Sequence, residues 1–139
     1  MASLIYKTNP ALSDQDLNHL FADAWDNYEQ RPFGNILSRS LAYVACWDGE
    51  ELVGFVNVAW DGDKHAFILD TIVAQKAGRC GIGTELVSRA VGQARAVGCE
   101  WLHVDFEDHL RAFYFSACGF TPTNAGLIAL KRPTVSTDS

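Results

Sequence analysis

Apolar positions along the chain recur at two spacings, one typical of strands and one of helices. Residues 4–8 (Leu-Ile-Tyr-Lys-Thr) read as a short first strand closed by Asn9-Pro10. Leu17, Leu20, Phe21 and Ala24 then recur at helical spacing. Ser13 suits the N-cap, and Asp14 and Asp16 suit the positive helix end, so a helix of about three turns is predicted. Arg31-Pro32-Phe33-Gly34 interrupts the pattern, and residues 35–40 suit a short second helix.

Three strands follow. Residues 41–47 are aromatic and apolar and close at Asp48-Gly49, a hairpin turn. Residues 52–60 run into a second turn at Asp61-Gly62-Asp63. Residues 66–73 are almost wholly apolar, which predicts a strand covered on both faces. Leu86, Val87, Ala90, Val91, Ala94 and Val97 then form one stripe of a long helix, with Gly98 as its stop. Residues 101–106 alternate by two, with Leu102, Val104 and Phe106 facing one way and His103 and Asp105 the other. Residues 110–118 read as a short helix ending at Gly119, residues 127–130 as a final strand, and residues 133–139 as a loose polar tail.

The bulk numbers narrow the class. A chain of 139 residues, 48% hydrophobic and 20% charged, is expected to form one globular domain with a substantial core. The net charge of −6 argues against a general nucleic-acid binder and mildly favours a cationic substrate. Cys46, Cys80, Cys99 and Cys118 form no CxxC and no disulfide framework, and His19, His65, His103 and His109 lack zinc-finger spacing. Free buried thiols and no bound metal are expected. The sequence shows no leader pattern and no long apolar span, so the expectation is a cytoplasmic protein without a membrane partner.

Chemistry concentrates at Gly78-Arg79-Cys80-Gly81-Ile82-Gly83-Thr84, between the apolar strand and the long helix. A glycine-dense turn opening a helix presents unpaired N–H groups and the positive dipole end, which suits a phosphate. A Walker loop is excluded because no Lys follows the glycines. The dinucleotide fingerprint fails because Leu86 stands where its third glycine belongs.

The ordered set Thr71-Ile72-Val73, Gly81-Ile82-Gly83, Phe113-Tyr114-Phe115 and Gly119-Phe120 resembles the acetyl-CoA-binding signatures of the GCN5-related N-acetyltransferase superfamily. The resemblance spans roughly residues 41–130. It implies a single α/β (α+β) domain over residues 1–132, with a mixed, mostly antiparallel sheet and helices on both faces. It also implies direct acetyl transfer from acetyl-CoA to a primary amine of a small molecule or peptide in a ternary complex. A coenzyme-binding module of the same fold without catalysis is the alternative. A nucleotide-binding α/β protein is a third reading. Symmetric dimers are common among oligomers, so a homodimer is within expectation.

The resemblance assigns roles residue by residue. The pyrophosphate is expected on the amides of Arg79, Cys80, Gly81, Ile82, Gly83 and Thr84, with Arg79 adding charge. The pantetheine arm is expected along Thr71, Ile72 and Val73 as an added strand, and an N–H of Ile72 or Val73 would serve the thioester oxygen. Gly78 occupies the place where the family carries Arg or Gln. The family's acid tyrosine lies four residues before the glycine of Gly-Phe; here that residue is Phe115, with Tyr114 one earlier. Asp108 stands where relatives carry a coenzyme-contacting Asn. His103 is the first candidate base, at a place where relatives carry a glutamate, and its ordinary pKa of about 6.5 suits the role. Asp105 would orient it or bind a cationic substrate, and Asp70 is the rival, acting through a water. Trp25, Tyr28, Trp60, Asp61 and Asp63 are candidates for an amine pocket through cation–π and ion-pair contacts.

Overall fold

A computed structural model describes residues 3–131. Five strands form one sheet in the order β1-β2-β3-β4-β5. They are β1 (Leu4–Thr8), β2 (Ala42–Asp48), β3 (Glu51–Trp60), β4 (His65–Val73) and β5 (Trp101–His103). The first four run antiparallel; α1 and α2 lie between β1 and β2, and hairpins at Gly49 and Gly62, whose φ values of 63° and 87° suit glycine, join β2 to β3 and β3 to β4. β5 is parallel to β4, because helix α3 (Ile82–Ala96) carries the chain back between them.

Helices α1 (Asp14–Ala24) and α3 cover opposite faces of the sheet. A Cβ placed on Gly54 would lie 2.8 Å from Ile82 Cγ2 and 3.1 Å from Leu86 Cδ1, so β3 touches α3 through this glycine. Its neighbour Phe55 turns to the other face, with its ring centroid 6.0 Å from that of Phe21 on α1. The core between these layers holds Leu17, Leu20, Phe21, Val44, Val56, Val58, Ile82 and Leu86, all essentially inaccessible. Ser13 caps α1 by accepting the Asp16 N–H at 3.0 Å. The short α2 (Gly34–Arg39) follows, close to its predicted place. Among the described residues, no helix is long and apolar enough to cross a membrane.

Four expectations need correction. β4 is covered on one face only at its first half, where Phe67 and Leu69 are exposed because no helix reaches them. β5 stops at His103 rather than at residue 106. Phe106 instead leaves the sheet to stack on Tyr114, with centroids 4.7 Å apart. The segment predicted as an ordinary helix is a 3-10 turn (Asp108–Leu110) followed by a π-helix (Ala112–Ala117). Residues 127–130, expected as a strand, pair with nothing and lie open to solvent. The predicted tail at 133–139 lies outside the described residues.

Candidate active site

The glycine turn is built to leave backbone donors free. After β4 the chain makes a 3-10 turn (Gln75–Ala77), anchored to α1 where the Asp23 carboxylate accepts the Gln75 N–H at 2.7 Å. Gly78 caps that turn in extended conformation, so charge at the loop comes from Arg79, held at φ 69°. Gly81 caps α3 at φ 76° and offers no side chain to it. The first helical bond is Glu85 N–H to the Gly81 carbonyl, at 3.1 Å. The amides of Ile82, Gly83 and Thr84 therefore precede the helical ladder, at the positive end of a 15-residue helix. A Cβ on Gly81 would meet nothing within 4 Å, whereas one on Gly83 would sit 3.2 Å from the Phe113 ring. Open space lies over Gly81, and Gly83 is the contact of α3 with the π-helix. The Ile82 side chain is in the core, so it offers only its backbone. Cys80 and Thr84 are exposed beside the turn.

Next to this turn the sheet opens. β4 and β5 pair only over His65–Phe67 and Trp101–His103, while β4 stays paired to β3 as far as Val73. The second half of β4 thus keeps one edge without a strand. The Ala74 N–H goes to Val53 on β3, at 2.9 Å. Alternation along an extended strand then turns the Val73 N–H to the open edge and the Ile72 N–H to β3. Of the two amides expected to serve an oxyanion, only that of Val73 faces the opening.

Tyr114 closes the far side of the opening. It is 6% exposed and packs between Phe106, Phe113 and Phe120. Burial chiefly pushes its pKa up; the Thr71 hydroxyl, beside the phenol, opposes the rise, and Cys118 and Asp105 add to it. The Thr71 hydroxyl is buried and lacks a hydrogen-bond partner of regular geometry, so it stands near the phenol without satisfying it. The π-helix explains how Tyr114 reaches β4. Its Cys118 N–H bonds to the Phe113 carbonyl at 2.9 Å, a five-residue span. The wider turn absorbs one residue before Gly119, which offsets the one-residue displacement of Tyr114 from the family pattern. Phe115 lies on the same segment under the Arg111 guanidinium, at 5.1 Å, and Asp108 starts the exposed 3-10 turn before it.

Asp70 sits one residue from Thr71, in a β-bulge opposite Val56 between the Phe55–Ile72 and Asn57–Leu69 pairs. Its φ of 57° is unusual for a side-chain-bearing residue, though least costly for Asp and Asn. Its carboxylate lies 3.7 Å from Arg31. Burial raises its pKa and Arg31 opposes the rise. Arg31 comes from the loop between α1 and α2, stacked over Phe33 at 5.0 Å and Phe21 at 5.4 Å. Buried Asn18 holds that loop: its Oδ1 accepts the Tyr28 hydroxyl at 2.5 Å and the Arg31 N–H at 3.0 Å, and its Nδ2 donates to the Arg31 carbonyl at 2.8 Å.

The other candidates are dispersed. His103 pairs with Phe67 at the closed end of the β4–β5 gap, stacked on that ring at 4.7 Å. Its Nε2 lies 2.8 Å from His65 Nδ1. Thr71 is four residues further along β4, roughly 13 Å of strand, so His103 and Tyr114 are not brought together. Asp105 lies beyond the end of β5 and bears on Tyr114 rather than on His103. Trp25 and Tyr28 share the α1–α2 loop with Arg31, with ring centroids 6.3 Å apart. Trp60 and Asp61 lie at the opposite end of β4. There the Asp61 carboxylate accepts the Asp63 and His65 N–H groups, which hold its pKa below the ordinary value and make it a turn-former. Asp63 belongs to that same turn. Among the described residues no cluster of side chains suits a metal.

Sequence reading missed Arg31 and Asn18. Asn18 carried a signal, being a polar residue beside Leu17 on the buried face of α1; Arg31 carried none. A hollow of about 480 Å³ between Asp16, His19, Asp48, Glu50, Glu51 and Leu52 touches none of these groups. The candidate site is the open strand edge instead.

A sheet that opens beside a glycine-capped helix, with a buried tyrosine across the gap, defines the class as an acetyltransferase fold. Residues 9–120 match the model of the acetyltransferase (GNAT) family, and the chain belongs to that family. Among solved structures it resembles a GNAT-family acetyltransferase from Streptococcus pneumoniae TIGR4 at 25% identity, with a TM-score of 0.76 over 94% of this chain and 100% of that one. Two further structures share the fold at lower identity. The aminoglycoside N-acetyltransferase AAC(6')-Iy, in complex with the bisubstrate analogue CoA-S-monomethyl-acetylneamine, is 14% identical, with a TM-score of 0.73 over 94% of this chain and 99% of that one. Glucosamine-6-phosphate N-acetyltransferase from Arabidopsis thaliana is 13% identical, with a TM-score of 0.70 over 90% and 97%. No curated protein matches the sequence significantly.

Proposed function

We propose that this chain, as a domain of residues 1–132, transfers an acetyl group from acetyl-CoA directly to a primary amine of a small molecule or peptide. The observation that carries the reading is the continuity of three features. Free amides at Gly81–Thr84 lead to the open edge of β4, and that edge leads to the Tyr114 phenol. The fit to the coenzyme rests on the open space over Gly81 and on the unpartnered Thr71 hydroxyl.

When bound, acetyl-CoA supplies an acetyl thioester open to attack by an amine. The residues divide the remaining work. Arg79 and the amides of Cys80 to Thr84 hold pyrophosphate, and Thr71 and Val73 present the strand edge along which the pantetheine lies. The Val73 N–H, turned to the open edge, would serve as the donor to the thioester oxygen. Asp70 accepts a proton from the incoming ammonium at its carboxylate, and its raised pKa makes it a better base than an exposed aspartate. Tyr114 would supply the proton that a leaving thiolate needs, and burial favours its protonated phenol. Trp25 and Tyr28 line the approach of the amine on the same side as Arg31. Asp70 replaces His103 as the preferred base because it adjoins Thr71, whereas His103 lies at the closed end.

Titration calorimetry with acetyl-CoA, ATP and NAD tests the binding half of this reading, and a thiol-release screen over amines tests the transfer half. Selective acetyl-CoA binding followed by amine-dependent thiol release is expected. Binding without release from any amine would mean a coenzyme-binding module, and no binding would overturn the reading.

A further inference from the structure

Arg31 is fixed by its backbone and by ring stacking, not by hydrogen bonds to its guanidinium. Asn18 holds the backbone at two points, the Arg31 N–H at 3.0 Å and the Arg31 carbonyl at 2.8 Å. The rings of Phe33 and Phe21 lie under the guanidinium at 5.0 and 5.4 Å. Yet the buried Nε has no hydrogen-bond partner among the described residues. The ion pair from Nη2 to Asp70 Oδ2 spans 3.7 Å, too long for a hydrogen bond. A guanidinium serving only as the counter-ion of Asp70 would close to a bidentate contact of about 2.8 Å. The Arg31 side chain is 40% exposed, so its outer N–H groups stay open beside Asp70.

We infer that the acceptor is an α-amino acid, its carboxylate held by Arg31 while its ammonium stands at Asp70. The inference rests on the transfer reading above, which brings the reacting amine to Asp70. Two bonds separate the nitrogen of an α-amino acid from its carboxyl carbon, so its opposite charges lie about 3 Å apart. Arg31 and Asp70 present the complementary charges 3.7 Å apart, so one ion pair lies across the other with each charge facing its opposite. The planar guanidinium fork matches a carboxylate. A phosphate-bearing amine fits less well, because its second negative charge would lie against Asp70. Rings and backbone already hold Arg31, so little rotamer freedom is lost on binding. Trp25, edge-on to Phe21 at 5.0 Å, and Leu69, the residue before Asp70, are each 42% exposed. Apolar surface beside both charges suits an amino acid with an apolar side chain.

Thiol release with acetyl-CoA tests the inference, comparing L-leucine, L-methionine and L-phenylalanine with the amines left when their carboxyl groups are removed. The amino acids should be preferred by at least about 30-fold in kcat/KM, mostly through KM. Arg31→Met should bring that ratio to within about threefold. Arg31→Lys keeps the charge and loses the fork, so its ratio should fall between the two. The ratio compares two substrates on one protein, so an effect of the substitution on Asp70 or on folding cancels. The parent ratio needs no variant and decides even where Arg31→Met fails to fold. Equal rates for the amino acids and their decarboxylated amines would overturn the inference and leave amine acetylation standing. So would release from none of the three amino acids, a preference for O-phosphoethanolamine, or an amino-acid preference that survives Arg31→Met. Failure to bind acetyl-CoA in calorimetry would instead remove the transfer reading, and the inference with it.

Discussion

The Tyr114 phenol stands beside the Thr71 hydroxyl because the helix that carries it is wound one residue wider than an α-helix. Phe113 packs on Gly83 at the helix start, Tyr114 turns to β4, and Phe115 turns to Arg111. Three consecutive aromatics thereby serve three different neighbours. The next residue on β4 from Thr71 is Asp70, so the proposed acid and the proposed base share one short stretch of open edge.

Tyr114→Phe removes the phenol and leaves the ring stack with Phe106 in place. General acids contribute on the order of 100-fold or more, so kcat is expected to fall about 100-fold while acetyl-CoA affinity holds within about twofold. Steady-state kinetics beside calorimetry checks the split. An equal loss in both would assign Tyr114 to coenzyme packing instead.

Asp70→Asn separates stability from activity. Burial raises the Asp70 pKa, so the folded state favours its neutral form, and the stability this gives is lost as pH rises through the folded value. The charged carboxylate is therefore a net cost at neutral pH, and Asn also tolerates the left-handed backbone at this position. The melting temperature should rise or hold near pH 7, with little difference from the parent below the ordinary carboxylate pKa. Acetyl transfer should fall at least about 100-fold and lose its acid-side pH limb.

Gly81→Ala tests the turn. At φ 76° a Cβ costs about 1–2 kcal/mol and also enters the open space proposed for the coenzyme. Gly62→Ala, at φ 87° in the β3–β4 turn, is the matched control for strain. Both should lower the melting temperature, but only Gly81→Ala should weaken acetyl-CoA binding, by about tenfold or more. Equal affinities would remove the turn from the coenzyme site.

Asn18→Ala frees the Arg31 backbone and the Tyr28 hydroxyl from their shared partner. Leaving such groups unsatisfied costs about 1–3 kcal/mol. The loop between α1 and α2 should loosen, so KM for the amine should rise more than KM for acetyl-CoA. Urea unfolding and two-substrate kinetics read both effects.

Tyr6 gives an alkaline signature. Burial first, then the neighbouring Cys46, pushes its pKa from 10.0 to about 12. The folded state holds the phenolic proton longer than the unfolded chain does, so this contribution is present below pH 10 and lost as pH rises toward about 12. The urea midpoint of the parent should fall across that window, and Tyr6→Phe should flatten the fall.

Most of the local structure was legible in the sequence. The N-cap at Ser13, the hairpin glycines, the helical stripe from Leu86 to Ala94 and the glycine turn each depend on residues close in the chain, where backbone preference and periodicity act directly. The family was readable for the same reason. Strand ends were less so: β5 looked six residues long because alternation continues to Phe106, but that ring leaves the sheet and stacks on Tyr114.

What the sequence alone determined is the set of elements, their order and the chemical character of one turn. Tertiary structure decided which side chains meet. The bulge that turns Asp70, the wide helix that carries Tyr114 to Thr71 and the Asn18 clamp on Arg31 all join residues far apart in the chain. It also put His103 at the closed end of the gap, against His65 rather than beside Tyr114. Such meetings have no local signature. They follow from how helices on two faces and the aromatic cluster fill space together, and a shift of one residue in register changes every contact while hardly altering the pattern along the chain.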